Sequence, residues 1–231
     1  MNRGLCAYAI TRDGAFESDP DIFLLAHRGL GLVVAEVDLV PFAEVDPSRW
    51  VGEPAEDDPL VVLARRHDEV VRAVFEHLPV LPLRFGTVLK DREAAVALLD
   101  ERHEQASGWL DRVEGHREWG VRARRRPPKD DAVSLVGLSG TEYLARRRKR
   151  LNAADRETSR ANEIRDALAR HATDSAARAR RSADVLFDTA YLVPVERESE
   201  FQAEVGRWDG LEVTGPWPPY SFTGQELSVN A

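Results

Sequence analysis

Residues 22–40 read IFLLAHRGLGLVVAEVDLV, two aliphatic and β-branched runs, Ile22 to Ala26 and Leu32 to Val40, on either side of His27-Arg28-Gly29-Leu30-Gly31. The second run alternates, with Val33, Ala35, Val37 and Leu39 on one side, which is the period of a strand with one covered face. Glycine carries no Cβ, so Gly29 and Gly31 tolerate the positive φ that a tight connection between strands requires. With the apolar run Leu5 to Ile10 upstream, the segment predicts three strands.

Working outward, Pro41 to Asp58 is rich in proline and acid and reads as a solvated loop. Its end, Glu56-Asp57-Asp58-Pro59, suits a helix start, because carboxylates favour the positive end of the helix dipole and proline fits the first turn. Leu60, Leu63, Ala64, His67, Val71, Val74 and Leu78 then recur at three- and four-residue spacing and form one apolar stripe. Pro79 stops that helix, and Val80 to Phe85 reads as a strand closed by Gly86. A second stripe, Val96, Leu99, Ala106, Leu110 and Val113, predicts a helix from about Asp91 to Glu114 that Gly115 ends.

In the second half, Glu118 to Val121 is strand-like and Arg124 to Asp131 reads as a mobile loop. From Ser139-Gly140 a polar helical pattern keeps Leu144, Leu151, Ile164 and Leu168 near one face. Run to Ser182 it would span about 60 Å at 1.5 Å per residue, longer than a small domain, so a bend or break is expected near Thr173-Asp174-Ser175. Leu186 to Val195 reads as a strand, Glu198 to Trp208 as a short helix and Leu211 to Thr214 as a last strand. Strands bracketing helices without regular alternation predict an α+β fold in two units, 1–115 and 116–231, each a small, mainly antiparallel sheet with helices on one face.

Charge supports that division. Residues 1–115 carry 12 basic and 22 acidic side chains, and residues 116–231 carry 20 and 18. A chain of net charge −8 so divided is a poor candidate for a nucleic-acid protein, whose binding face must be positive. No apolar run reaches 18 residues and the amino terminus has no basic segment followed by an apolar one, so neither a spanning helix nor a secretory signal is expected and the cytosol is the expected compartment. The single cysteine, Cys6, excludes an internal disulfide and reads as a buried core thiol.

Individual residues offer little chemistry. His67 on an apolar helix face reads as a neutral core histidine, and no second ligand stands at zinc-site spacing; His103-Glu104 likewise lacks a histidine four residues on. Gly29-Leu30-Gly31 is followed by a strand and Gly137 to Gly140 lacks a following Lys-Ser/Thr, so neither is a nucleotide loop. Arg84, in the apolar strand between Leu83 and Phe85, is expected to pair with an acid, with partner binding as the alternative. The five cations Arg146 to Arg150 spread around a helix rather than along one stripe, which suits a solvated, salt-bridged helix, with an anionic patch on another protein as the alternative they would meet. The tail Trp217-Pro218-Pro219-Tyr220-Phe222 either packs back over the sheet or displays a polyproline II segment.

Three segments together carry a family resemblance. His67-Asp68-Glu69-Val70-Val71 leads into Val80-Leu81-Pro82-Leu83-Arg84-Phe85-Gly86-Thr87-Val88, Ser139-Gly140-Thr141-Glu142-Tyr143-Leu144-Ala145-Arg146-Arg147-Arg148 opens the long helix, and Thr214-Gly215-Pro216-Trp217-Pro218-Pro219-Tyr220-Ser221-Phe222 forms the tail. In order and spacing these resemble the gas vesicle protein F/L family across Tyr8 to Phe222, with the arginine-rich Arg122 to Lys129 as the main departure. The resemblance implies a two-domain α+β architecture whose carboxy-terminal part is ferredoxin-like. It also implies a non-enzymatic accessory or minor structural role in gas vesicles, the shells that give microbes buoyancy, with the vesicle shell protein and other accessory proteins as partners. No cofactor, metal, nucleic acid or membrane is expected, and the location implied is the cytoplasm and the gas vesicle.

The residues expected at an interaction surface are Arg84, Phe85, Tyr143, Arg147, Trp217, Tyr220 and Phe222. An enzyme or a regulatory binding module on a ferredoxin-like scaffold is the alternative, though no acid, base and nucleophile converge in any motif.

Overall fold

The computed structural model describes residues 3–16, 19–38, 57–125, 140–179 and 182–223. The acidic loop expected from Pro41 is outside them as far as residue 56, as is most of the loop expected over Arg124 to Asp131. The chain divides into two compact units, Met1–Arg117 with Trp217–Ala231, and Glu118–Pro216. The division falls two residues beyond 115, and the tail, expected with the second half, clusters with the first unit.

In the first unit, β1 (Arg3–Arg12), β2 (Ile22–His27), β3 (Leu30–Asp38), α1 (Pro59–Phe75), β4 (Val80–Pro82), β5 (Val88–Leu89) and α2 (Arg92–Val113) follow in order. The sheet runs β2-β3-β1-β4, with β5 also paired to β1. His27 pairs with Leu30 across a loop of only Arg28 and Gly29, whose φ values of 52° and 80° match the twist of a two-residue hairpin. Gly31 is needed for a different reason: a Cβ there would sit 2.6 Å from the Leu24 side chain on the neighbouring strand. Asp58 caps α1 by accepting the Leu60 N–H at 2.8 Å, and Asp91 caps α2 through Ala94 N–H at 2.9 Å.

Every residue of β1 from Gly4 to Thr11 is buried, so the sheet is covered on both faces rather than on one. On one face Cys6, Tyr8, Val33 and Ala35 pack with Val70, Val71 and Val74 of α1. The other is left to α2, which contacts β1 to β4 and buries Leu98, Leu99, Trp109 and Leu110. Burial pushes the Cys6 thiol up to about 11.

The second unit contains β6 (His116–Arg124), α3 (Gly140–Ala169), β7 (Asp174–Ala177), β8 (Val185–Pro194), α4 (Glu198–Val205) and β9 (Leu211–Trp217), with sheet order β7-β8-β6-β9. Its core joins Trp119 and Val121 to Ile164 and Leu168 of α3, Phe187, Tyr191 and Val193 of β8 and Phe201 of α4. Both sheets are antiparallel with helices packed on them. The long helix ends at Ala169, four residues before the expected break. Asp174 to Ala177 then pair with Leu192 to Thr189, a strand that alanine-rich sequence does not announce.

Candidate functional site

The two signature segments of the first unit meet on α1. Its stripe turns His67 inward, 6% exposed, between the rings of Tyr8 at 5.2 Å and Phe85 at 5.8 Å, the latter edge-on at 83°. Nε2 lies 3.1 Å from the Leu83 carbonyl, so the ring carries its proton there and donates it. Burial is the largest influence on this imidazole and holds its pKa below the usual value, so it stays neutral; Nδ1 has no partner among the described residues. This is the neutral core histidine expected from the sequence.

One residue on, the chain faces outward. Tyr220 Oη donates to Asp68 Oδ1 at 2.9 Å, while Arg72 reaches Asp68 Oδ2 at 2.5 Å from one helical turn further along. The same guanidinium lies over the Trp217 ring, 4.0 Å from its centroid, the arrangement in which a cation meets the negative face of an aromatic. Pro218, Pro219 and Phe222 are buried, Tyr220 packs against the core under α1, and residues 220–222 form a single 3-10 turn. The tail therefore packs back, with Tyr220 on the core that α1 shares with the sheet and its polar contacts on α1.

The remaining expected residues stand apart. Arg84 lies beyond the end of β4, so strand alternation no longer governs it. It is exposed, and no carboxylate pairs with it among the described residues, contrary to the expected ion pair. Its carbonyl accepts instead, from Thr87 N at 3.1 Å and Thr87 Oγ1 at 2.7 Å, which shapes the turn into β5. Phe85 is half-buried against His67. Arg147 is exposed on α3 in the second unit, and the Tyr143 side chain lies outside the described residues.

Two groups that hold the tail, Asp68 and Arg72, were not singled out from the sequence. Their only signal is the four-residue spacing of acid and base on the flank of the α1 stripe. The arginine-rich departure also gains a structural account within the second unit. Arg122 donates to Asp188 through Nε at 2.8 Å and Nη2 at 2.7 Å, and Arg124 bridges Asp184 at 2.8 Å and Glu212 at 2.5 Å. Ser182 first, then Arg124, holds the Asp184 carboxyl below its usual range, and Arg124 does the same for Glu212. Next to this ladder Glu118, 1% exposed, pairs with Arg178.

Fold and site together define a two-unit α+β protein whose Pro-aromatic carboxy-terminal segment is clamped onto the first unit's capping helix. A family model described as gas vesicle synthesis protein GvpL/GvpF matches residues 4–224. The chain is 31% identical to gas vesicle protein L of Streptomyces sp. (strain CB03234), over 87% of this chain and 82% of that one, and 33% identical to gas vesicle protein F of the same strain, over 62% and 69%. Its fold is that of the crystal structure of gas vesicle protein GvpF from Anabaena sp. PCC7120, with TM-score 0.68 and 21% identity over 96% of this chain and 98% of that one. The chain belongs to the gas vesicle GvpL/GvpF family, which is not known as a family of enzymes. Among the described residues no helix is long and apolar enough to cross a membrane.

Proposed function

We propose that this protein is a cytoplasmic, non-enzymatic accessory of gas vesicle assembly that binds the hydrophobic shell subunit and keeps its gas-facing surface covered until the subunit enters the wall. A wall that excludes water needs subunits with a strongly apolar face, and such a face aggregates when left in water. The observation that carries the reading is a recess of about 380 Å³ in the first unit, where Leu5, Phe23 and Leu25 form an apolar floor inside a charged rim of Arg3, Glu36, Lys90, Asp91 and Arg92 at the amino-terminal end of α2. Phe23 is 36% exposed, unusual for a phenylalanine on a sheet otherwise covered by helices.

The strand that supplies Phe23 and Leu25, β2, pairs only with β3 among the described residues, so its outer edge offers backbone groups to an added strand. Apolar floor and open edge together suit a partner that is greasy and extended. In the second unit, the succession strand, helix, strand, strand, helix, strand, with β9-β6-β8-β7 as the order across the sheet, supports the ferredoxin-like arrangement expected there.

The test is retention of purified shell subunit on the immobilised full chain, compared with Phe23→Asp. Removing one buried phenylalanine contact is worth about 1.5–3 kcal/mol, so the variant should retain at least roughly tenfold less subunit at equal loading. Circular dichroism shows whether each protein is folded. A folded wild-type chain that retains no subunit sinks the proposal.

A further inference from the structure

Helix α3 is two structures in one. Its last third buries Ala161, Ile164, Ala167 and Leu168, but every described side chain from Thr141 to Arg156 is exposed, with Leu144 at 63% and Leu151 at 58%. These 16 residues, about 24 Å of helix, carry six basic side chains against two acidic ones. Arg147, Arg148 and Lys149 have no acidic partner among the described residues. A helical stretch of this length is marginal in water on its own, and cations three and four residues apart repel. Such an arm gains order from an acidic surface of similar length.

The chain carries one. On α2 the residues Glu93, Ala97, Glu101, Glu104, Gly108 and Asp111 fall on a single exposed line about 27 Å long. Glu93 and Glu104 have no cation partner among the described residues and Glu101 has only Arg102 at 3.9 Å, while Asp111 at the far end of the line is already paired with Arg12, so Glu93, Glu101 and Glu104 supply its free charge. Ala97 and Gly108 keep the line low, with no atom within 4 Å of the position a Gly108 Cβ would occupy, so another helix can approach closely.

We infer that the chain self-associates, the basic arm of α3 in one copy lying along the acidic line of α2 in a second copy. Arm and line are different surfaces, so the contact is head-to-tail: it leaves one of each free at the ends and builds either a closed ring or an open chain of copies. The two exposed leucines supply the apolar contact, and the charges supply register and orientation.

The experiment is sedimentation of the full chain over a concentration series, at low salt and at about 0.5 M NaCl, where surface charges are screened within a few ångströms. At low salt the mass is expected to rise with concentration above the 25.9 kDa of one chain, and to return to it at high salt. The double variants R147E/R148E and E101R/E104R each bring like charges together and should weaken association by roughly tenfold or more, whereas their mixture restores opposite charges and should associate to within roughly threefold of wild type. Thermal melts confirm that both variants fold. A single-chain mass at every concentration at low salt overturns the inference, as does a mixture that fails to associate. Binding of duplex DNA or anionic vesicles to the arm without self-association also overturns it, assigning the arm to a polyanion.

Discussion

Asp68 holds the carboxy-terminal segment from two directions, and replacing it with alanine removes both. The hydrogen bond from Tyr220 ends on an ionised acceptor; such bonds contribute about 1.5–3 kcal/mol when buried, but the Asp68 side chain is 40% exposed, which brings this one to about 1 kcal/mol. The Arg72 pair, exposed at both ends, adds about 0.3–0.5 kcal/mol. Without its carboxylate Arg72 is no longer steered over Trp217, at a further cost of about 0.5–1 kcal/mol. Asp68→Ala should therefore destabilise the first unit by about 2 kcal/mol, lowering its melting temperature by about 4–8 °C. Urea unfolding followed by tryptophan fluorescence measures this, and a cycle with Tyr220→Phe isolates the bond itself, with an expected coupling of about 1 kcal/mol. A coupling below about 0.3 kcal/mol would show that the tail rests on α1 by apolar packing alone and refute the assignment of Asp68 as its anchor.

Two other outcomes follow from buried polar groups. Because His67 has a folded-state pKa below its unfolded value, the unfolded chain binds the extra proton. Its contribution to stability is therefore fully present above about pH 6.5 and is lost as pH falls below that, with a slope of at most about 1.4 kcal/mol per pH unit. Unfolding measured at pH 7.5 and 5.5 should show this loss in the wild type and a smaller one in His67→Gln; identical losses would mean that another group titrates. In the second unit, Arg178→Met withdraws the main guanidinium from Glu118, which is 1% exposed, and should cost on the order of 3 kcal/mol, with Glu118→Gln in the same chain recovering a substantial part. Chemical denaturation checks this, and no recovery in the double variant would mean that the loss comes from packing of the arginine stem.

Much of the fold was legible because its determinants are local. The hairpin around Arg28 and Gly29 follows from residues that accept positive φ, and both first-unit helices start at a capping aspartate that stands next to its helix in sequence. What sequence periodicity does not encode is a strand made by its neighbour. Asp174 to Ala177 have weak strand propensity and alanines suited to a helix, yet β8 is an open edge beside them and the backbone bonds it offers decide the outcome. The same limit explains Arg84: alternation predicts a direction only while the strand lasts, and β4 stops at Pro82, where the chain leaves for the turn that Thr87 closes.

The site divides along similar lines. Large aromatic side chains announce that they must be covered, so Trp217, Tyr220 and Phe222 could be picked out of the tail. The groups that cover them lie some 150 residues away in sequence and give no sign beyond an ordinary acid-base spacing on a helix flank. A side chain's own chemistry states what it requires, such as a partner for a phenol or a counterion for a guanidinium, whereas the supplier is fixed by which elements the tertiary fold makes adjacent. For α1 that adjacency gives one helix two tasks: its apolar stripe closes the core under the sheet, and its polar flank receives Trp217 and Tyr220. Asp68 stands one turn from the buried Val71 and binds the Tyr220 that packs on the same core, so the cycle with Tyr220→Phe, rather than the single substitution, separates the tail's anchor from the core beneath it.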